Sequence, residues 1–297
     1  MKITWNLRGR LTQWEGPMVM GILNATPDSF HAGSRVDAQA AVDRAGLMLE
    51  EGAALIDVGG MSTRPGAEAV SEQAELDRIL PVIAAIRKAI PEAVLSVDSY
   101  RSGVAREAVH AGALVVNDIS AGLLDREMLP TVAGLKVPYI VMHMQGLPAT
   151  MQDAPSYANV QGEVLHHLGM RMQAAHAAGI ADVVIDPGFG FGKELRHNFA
   201  LLAGLASFTV LEAPLLVGLS RKRMICEPLG ITAGEALNGT TVLHTVALQK
   251  GASILRVHDV RPAVEAITLL RELNRWGDRR HPPGREASEF NLPTAAQ

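Results

Sequence analysis

The sequence has little of what would tie a protein to an oxidising compartment, a membrane or a nucleic acid. Its 297 residues include one cysteine, so no disulfide can form within the chain. Lys and Arg number 27 against 31 Asp and Glu, and the net charge of -4 offers no attraction for polyanions. No apolar run approaches the ~20 residues that span a bilayer. We therefore expect a cytoplasmic protein that binds neither nucleic acid nor membrane.

What the sequence does contain is a series of short apolar runs that each stop on polar residues. A continuous Val/Ile/Leu run is typical of a parallel strand buried on both faces, and the stretches between the runs are long enough for helices. This repeat predicts an α/β fold, a (β/α)8 TIM barrel. The runs are MVMGILN (18–24), ALIDVGG (54–60), VLSVDS (94–99), LVVNDIS (114–120), YIVMHM (139–144), DVVIDPG (182–188), LLVGLS (215–220) and SILRVHD (253–259).

The segments at the two ends of the chain have a different character from the barrel. Residues 1–15 alternate loosely around Arg8-Gly9, which predicts a short N-terminal β-hairpin that closes the barrel bottom. Residues 276–297 are rich in Gly, Pro and charge, which predicts a mobile C-terminal tail. The barrel itself is predicted over residues 16–275.

Polar residues at the strand ends are the candidates for chemistry, because active sites of such barrels lie at that rim. Asp186 stands before a glycine-rich turn, and its carboxylate can accept two parallel N–H bonds from an amino-pyrimidinone edge. Asp98 and Asn117 end two neighbouring strands, where an amide can read the edge of a heterocycle. The alternatives are that Asp186 caps the next helix, and that Asp98 and Asn117 form only a hydrogen-bonded layer.

A second group of strand-end residues predicts an anion and metal site. Lys222 follows the seventh strand and supplies a point charge that can also donate to a ring oxygen. Arg256 and His258 lie on one side of the eighth strand, which suggests phosphate or pyrophosphate. The alternative is that Arg256 only pairs with Asp259. Asn24 offers a hard amide oxygen to Mg²⁺, with water and phosphate oxygens completing the shell.

Together these segments resemble the dihydropteroate synthase family over roughly residues 16–270. The resemblance implies a transferase that condenses 6-hydroxymethyl-7,8-dihydropterin pyrophosphate with p-aminobenzoate, giving 7,8-dihydropteroate and pyrophosphate, with Mg²⁺ as cofactor, sulfonamides as inhibitors and a homodimer built through the last helices. The matching motifs are MGILNATPDSF, IDVGGMSTRPGAEAVSEQAEL, SVDSY, NDISA, VMHMQGLPATMQ, IDPGFGFGK, GLSRKRM, LNGTT and RVHDV.

The resemblance also implies a role for each matched residue. The pterin would be held by Asp98, Asn117, Asp186 and Lys222, with Met142 as a further substrate contact. The pyrophosphate would be held by Asn24, Arg256 and His258, with Mg²⁺ on Asn24. The p-aminobenzoate pocket would be formed by Phe30, Thr63, Arg64, Pro65, Phe191 and Ser220. The residues expected to carry catalysis are Asp98, Lys222, Arg256 and His258.

Two positions depart from the family's usual pattern. Ala32 stands where the first long loop commonly carries an acid, and Met61 stands where a glutamate is common. A catalytically weak pterin-binding paralogue is therefore one alternative. A methyltetrahydrofolate-dependent methyltransferase barrel is another, since it could share the pterin contacts. It would not need the STRPG, SRK and RVHD motifs around a pyrophosphate.

Overall fold

The computed structural model describes residues 2–25, 35–61, 70–148 and 150–277, and the chain begins there with the predicted antiparallel hairpin. Its strands are β1 (Lys2–Leu7) and β2 (Arg10–Glu15). Arg8 and Gly9 between them have φ values of 53° and 94°, and positive φ at both central positions is what a type I′ turn needs. One face of β1 is buried through Ile3, Trp5 and Leu7.

Eight parallel strands follow, one within each predicted apolar run, so the predicted (β/α)8 TIM barrel is confirmed. Each strand pairs with its neighbours in the chain, and β10 returns to pair with β3. An isolated parallel β-bridge between Ile185 of β8 and Leu215, just before β9, joins the two edge strands of the sheet. The strands are β3 (Met18–Asn24), β4 (Leu55–Gly59), β5 (Leu95–Asp98), β6 (Val115–Asp118), β7 (Tyr139–Met142), β8 (Val183–Asp186), β9 (Leu216–Val217) and β10 (Ile254–Val257).

Helices connect the strands and form the outer layer. Ser71 begins the second helix as an N-cap, because its hydroxyl accepts a hydrogen bond from the Ala74 amide at 3.2 Å. In the part of the chain that the structure describes, no helix is long and apolar enough to cross a membrane. The helices are α1 (Arg35–Glu50), α2 (Glu72–Ala89), α3 (Ser102–Ala111), α4 (Met128–Leu135), α5 (Val160–Ala177), α6 (Leu195–Ala203), α7 (Arg223–Leu229), α8 (Leu237–Gln249) and α9 (Val260–Gly277).

Alternation along the strands explains where the polar rim comes from. Outward residues such as Val58, Val97 and Val141 pack in the large core cluster that includes the helices. Inward residues form a second cluster with the hairpin's Ile3, Trp5 and Leu7, at the hairpin end of the barrel; they include Leu55, Val115, Ile140, Val184 and Ile254. Because a strand repeats every two residues, the next inward positions are Asp57, Asn117, Met142, Asp186 and Arg256.

Several predicted features lie outside the described residues. They are Phe30 and Ala32 in the first long loop, Thr63, Arg64 and Pro65 in the second, and the tail beyond residue 277. The predicted contributions of Phe30, Thr63, Arg64 and Pro65 to the p-aminobenzoate pocket stay predictions, as does the mobile tail.

Candidate active site

Six charged or amide side chains meet at the carboxyl ends of the strands. We call them the strand-end cluster: Asp57, Asp98, Asn117, Asp186, Lys222 and Arg256. Asp57 is fully buried, Asn117 and Asp186 are buried, and the other three are half-buried. The arrangement therefore places a mixed set of charges at the rim, where three of the six side chains stay partly exposed to solvent.

Arg256 is the link between two carboxylates of this cluster. Its Nε lies 2.7 Å from Asp57 Oδ2, and its Nη2 lies 2.7 Å from Asp98 Oδ2. Asp259 pairs with Arg221 instead, at 2.8 and 2.9 Å. The alternative that Arg256 pairs with Asp259 is therefore wrong, because the guanidinium turns into the barrel.

The electrostatics of this pair depend on burial. Burial raises the pKa of Asp98 to about 7, although the Arg256 guanidinium opposes the rise. Burial disfavours the charge on Arg256, but Asp57 and Asp98 outweigh burial and raise the Arg256 pKa. Asp98 can thus change its charge near neutral pH, while Arg256 stays a cation.

Asn117 is oriented by its hydrogen bond to Asp57. Its Nδ2 donates to Asp57 Oδ2 at 2.9 Å. A hydrogen-bonded layer across the strands therefore exists, as the structural alternative for Asp98 and Asn117 expects. The same layer leaves half-buried Asp98 beside the open side of the barrel, so the layer and a ligand site are compatible.

Asp186 is held in a tight turn and does not cap a helix. Its Oδ1 accepts a hydrogen bond from the Gly188 amide at 2.8 Å, whereas the cap of α6 is Glu194. Burial raises the pKa of Asp186, and Lys222 opposes that rise. The helix-capping alternative is therefore wrong, and the second carboxylate oxygen remains for another partner.

Lys222 lies between Asp186 and the glycine loop, which we define as residues 187–192. Burial lowers the pKa of Lys222 to about 8, with Asp186 acting in the opposite direction. The ammonium donates to the Phe189 carbonyl and lies 4.8 Å from the centre of the Phe191 ring. Lys222 therefore contacts a backbone carbonyl and an aromatic face, and its charge acts on the Asp186 carboxylate.

The glycine loop is held by side-chain donors on five successive carbonyl oxygens. Its backbone also lies so close to β7 that a Cβ added to Gly188 would come within 1.9 Å of the His143 carbonyl oxygen. The loop shape is therefore imposed from outside. The donors are Lys193 to Gly188 and Phe191, Lys222 to Phe189, Gln152 to Gly190, and Tyr157 to Gly192.

Lys193 is the buried centre of this support, with 3% of its surface exposed. Besides the loop carbonyls, its Nζ lies 2.9 Å from His143 Nδ1. Burial and the neighbouring Lys193 charge lower the pKa of His143 to about 2, so its ring is neutral and accepts this bond. Burial also lowers the pKa of Lys193 well below its ordinary value.

Replacing Lys193 with Met should destabilise the fold, because the loop carbonyls and His143 Nδ1 lose their donor. Each buried acceptor left without a partner costs about 1–3 kcal/mol. We expect the free energy of unfolding, measured by urea titration, to fall by at least that amount. Lys250→Met is the control, since Lys250 Nζ bonds one carbonyl at the surface. A loss equal to that of the control would contradict the assigned role.

Ser220 and His258 come together where β9 and β10 end. The Ser220 hydroxyl accepts from the His258 amide at 3.2 Å and lies 3.0 Å from His258 Nδ1. The two predicted site residues are thus neighbours. The carbonyl of His258 also accepts a bond from Arg44 of α1.

Asn24 ends β3 beside Asp98, with Gly59 between them. A Cβ added to Gly59 would lie 3.7 Å from Asp98 Oδ2 and 4.0 Å from Asn24 Oδ1. Within residues 2–25, 35–61, 70–148 and 150–277, no group of three His, Cys, Asp or Glu side chains is arranged to hold a metal. The donors present fit Mg²⁺, which takes few protein ligands and keeps water and phosphate oxygens.

The sequence did not lead us to predict two residues that belong to the site. Asp57 lies within the apolar run ALIDVGG and was not predicted as a site residue, although it follows inward Leu55 by two positions, like Asn117 after Val115. This two-residue spacing from an inward apolar residue is the sequence signal that would have identified Asp57. Lys193 carries no such signal, because its partners come from a different strand and loop. His167 of α5 packs its ring 4.8 Å from that of His143.

Comparison with known proteins decides the family. The sequence matches the pterin binding enzyme family over residues 20–258. The dihydropteroate synthase of Escherichia coli (strain K12) is 46% identical over 260 residues, covering 86% of this chain and 90% of that protein. The chain belongs to the dihydropteroate synthase family. Its function is that of a dihydropteroate synthase, a transferase, and the predicted family and enzyme class are confirmed.

Solved structures agree with this family assignment. Xanthomonas albilineans dihydropteroate synthase with 4-aminobenzoic acid has a TM-score of 0.83 and 42% identity, covering 91% of this chain and 98% of that one. The same enzyme in complex with 7,8-dihydropteroate has a TM-score of 0.81 and 40% identity, covering 92% and 99%. These relatives favour the synthase over the methyltransferase alternative.

Proposed function

We propose that the strand-end cluster binds a dihydropterin and that neighbouring residues at the same rim bind its pyrophosphate and p-aminobenzoate. The observation that carries this proposal is that Asp186 and Asn117 occupy inward positions at strand ends of one rim, where Lys222 and Asp98 stay partly exposed. A carboxylate oxygen, an amide and an ammonium together match the donors and acceptors of an amino-pyrimidinone ring. The pyrophosphate would lie toward Asn24, Arg256 and His258, and p-aminobenzoate toward Phe191 and Ser220.

Positioning and charge stabilisation are sufficient for the reaction. The amine nitrogen of p-aminobenzoate attacks the methylene carbon of the pterin, the carbon–oxygen bond breaks, and pyrophosphate leaves with the bonding electrons. The proton lost by the amine passes to water. In its charged form, Asp98 would stabilise the positive charge that develops on the methylene and the conjugated ring.

The direct test is turnover of the purified chain. Incubation with 6-hydroxymethyl-7,8-dihydropterin pyrophosphate and p-aminobenzoate should release pyrophosphate, and sulfonamides should compete with p-aminobenzoate. The Yersinia pestis enzyme has been solved in a sulfonamide drug complex. Pterin binding without turnover would favour the catalytically weak paralogue suggested by Ala32 and Met61. A requirement for a corrinoid partner would favour the methyltransferase.

Magnesium should be needed for turnover and should act through Asn24. When bound there, Mg²⁺ would neutralise charge on the leaving pyrophosphate. Calorimetry should show that Mg²⁺ strengthens pyrophosphate binding to the parent chain, and that Asn24→Ala removes this gain. Full activity in excess EDTA would contradict the metal's role.

We also propose a cytoplasmic homodimer built on α8 and α9. A groove of about 780 Å³ lies between these helices, lined in part by Leu237, Leu269 and Leu273. Those leucines are 37%, 72% and 61% exposed, which is unusual for one continuous face. A second copy of this face would cover them.

Placing a charge on this face should separate the two subunits. Leu269→Glu should shift the parent dimer to a monomer in light scattering, because the carboxylate would be buried against apolar side chains. Leu11→Glu is the control, since Leu11 is 74% exposed on the hairpin and does not line the groove. A monomeric parent chain would refute the proposed homodimer.

A further inference from the structure

Asp57 is a charged residue at the centre of the site that a ligand cannot reach. It has no exposed surface and lies on β4, between β3 and β5. It pairs in register with Ser96 of β5, which is also fully buried. Any influence of Asp57 on a ligand must therefore pass through the residues that it touches.

One oxygen of Asp57 receives two donors from residues that border the ligand space. Oδ2 accepts from Asn117 Nδ2 at 2.9 Å and from Arg256 Nε at 2.7 Å. The guanidinium supplies the counter-charge of the buried carboxylate. Nε and Nη2 form one edge of the guanidinium, and both are engaged by carboxylates, so its plane is set at two points.

The contact with Asn117 decides which end of the amide faces the ligand. An ionised carboxylate only accepts hydrogen bonds. If the amide were rotated by half a turn, its oxygen would face Asp57 Oδ2 at about the distance now filled by a hydrogen bond, and two oxygens would repel. Asn117 must therefore turn Nδ2 toward Asp57 and leave Oδ1 as the acceptor for a ligand.

We infer that Asp57 is a positioning residue, which sets the specificity of pterin recognition by fixing the orientation of the Asn117 amide. This inference rests on the proposed function, since it describes how one residue of that site recognises the ligand. It goes further because it states which group of the Asn117 amide, the donor or the acceptor, faces the ligand. Asn117 presents an acceptor, so it selects a heterocycle edge that carries an N–H at that point.

The test is Asp57→Asn, which keeps the shape of the side chain but can donate as well as accept. The probe is 6-hydroxymethylpterin, which lacks the pyrophosphate, and its affinity is measured by calorimetry. We expect Asp57→Asn to weaken binding at least tenfold. Ser96→Ala is the matched control, because Ser96 is equally buried at the same register and its Oγ has no hydrogen-bond partner among the described residues. The control should bind within twofold of the parent.

A double-mutant cycle separates positioning from a general structural role. If Asp57 acts through Asn117, Asp57→Asn should change affinity by less than threefold in an Asn117→Ala background. Additive losses, or unchanged affinity in the single variant, would overturn the inference. Should Asp57→Asn not fold, Asp57→Ser carries the same cycle and the same criteria.

The parent chain is measured first, so that two failures are distinguishable. A parent that does not bind 6-hydroxymethylpterin refutes the proposed function, and the inference fails with it. A parent that binds, with an Asp57→Asn variant that binds equally well, refutes only the role of Asp57.

Discussion

Arg256→Ala should lower the free energy of unfolding by about 3–5 kcal/mol, the usual loss when one partner of a buried ion pair is removed. The variant leaves Asp57 and Asp98 without their shared counter-charge, and the side chains of these two residues are 0% and 15% exposed. Turnover should be lost at the same time, since Arg256 orders the centre of the site. Chemical denaturation measures the first effect and pyrophosphate release the second.

The loss of stability in Arg256→Ala should depend on pH. The pKa of Asp98 is raised in the folded parent to about 7, and removal of Arg256 should raise it further. A carboxyl whose pKa is higher in the folded state takes up its proton there more readily, so folding is favoured at low pH and stability falls as pH rises through that window. The variant should therefore lose less stability at about pH 5 than at about pH 8.

Arg223→Ala is the control for this prediction. Its side chain is 85% exposed and pairs with Glu227 on the surface, and such pairs contribute about 0–1 kcal/mol. Its effect should be small at both pH values. An Arg256→Ala variant that unfolds with the parent's free energy at pH 8 would show that the buried carboxylates are compensated elsewhere.

Asp186→Asn should weaken pterin binding by a factor of about five to more than a hundred. The Gly188 amide donates to Oδ1 at 2.8 Å and would hold the new amide with its oxygen in that place. The Nδ2 group would then face the ligand, where the carboxylate had offered an acceptor. A buried donor facing another donor costs about 1–3 kcal/mol.

Calorimetry with 6-hydroxymethylpterin measures this loss directly. Asp182→Asn is the matched control, because Asp182 precedes the same strand at its other end and accepts from the Asn6 amide of the hairpin. It should leave pterin affinity unchanged. Equal affinity of the Asp186→Asn variant and the parent would show that Asp186 does not contact the pterin.

The sequence by itself was sufficient for the fold and for the position of the rim. Apolar runs with polar ends depend on neighbours a few residues apart, and buried parallel strands require such runs wherever they occur. Each strand lies within its predicted run, and most motifs that carry the family resemblance include a strand end, whereas LNGTT lies at the start of α8. The prediction of the turn at Arg8-Gly9 likewise depended only on adjacent residues.

Only the tertiary structure decided which strand-end charges belong together. Asp57 and Arg256 are 199 residues apart and lie on β4 and β10, with β3 between them. Their contact exists because the closed barrel turns both side chains inward, and no local pattern specifies which of the inward side chains pair. For the same reason the sequence, which predicted Arg256 as a pyrophosphate ligand, could not show that two of its nitrogens also bind carboxylates. The burial that sets the charge of Asp98 and Lys193 likewise arises only when distant segments pack together.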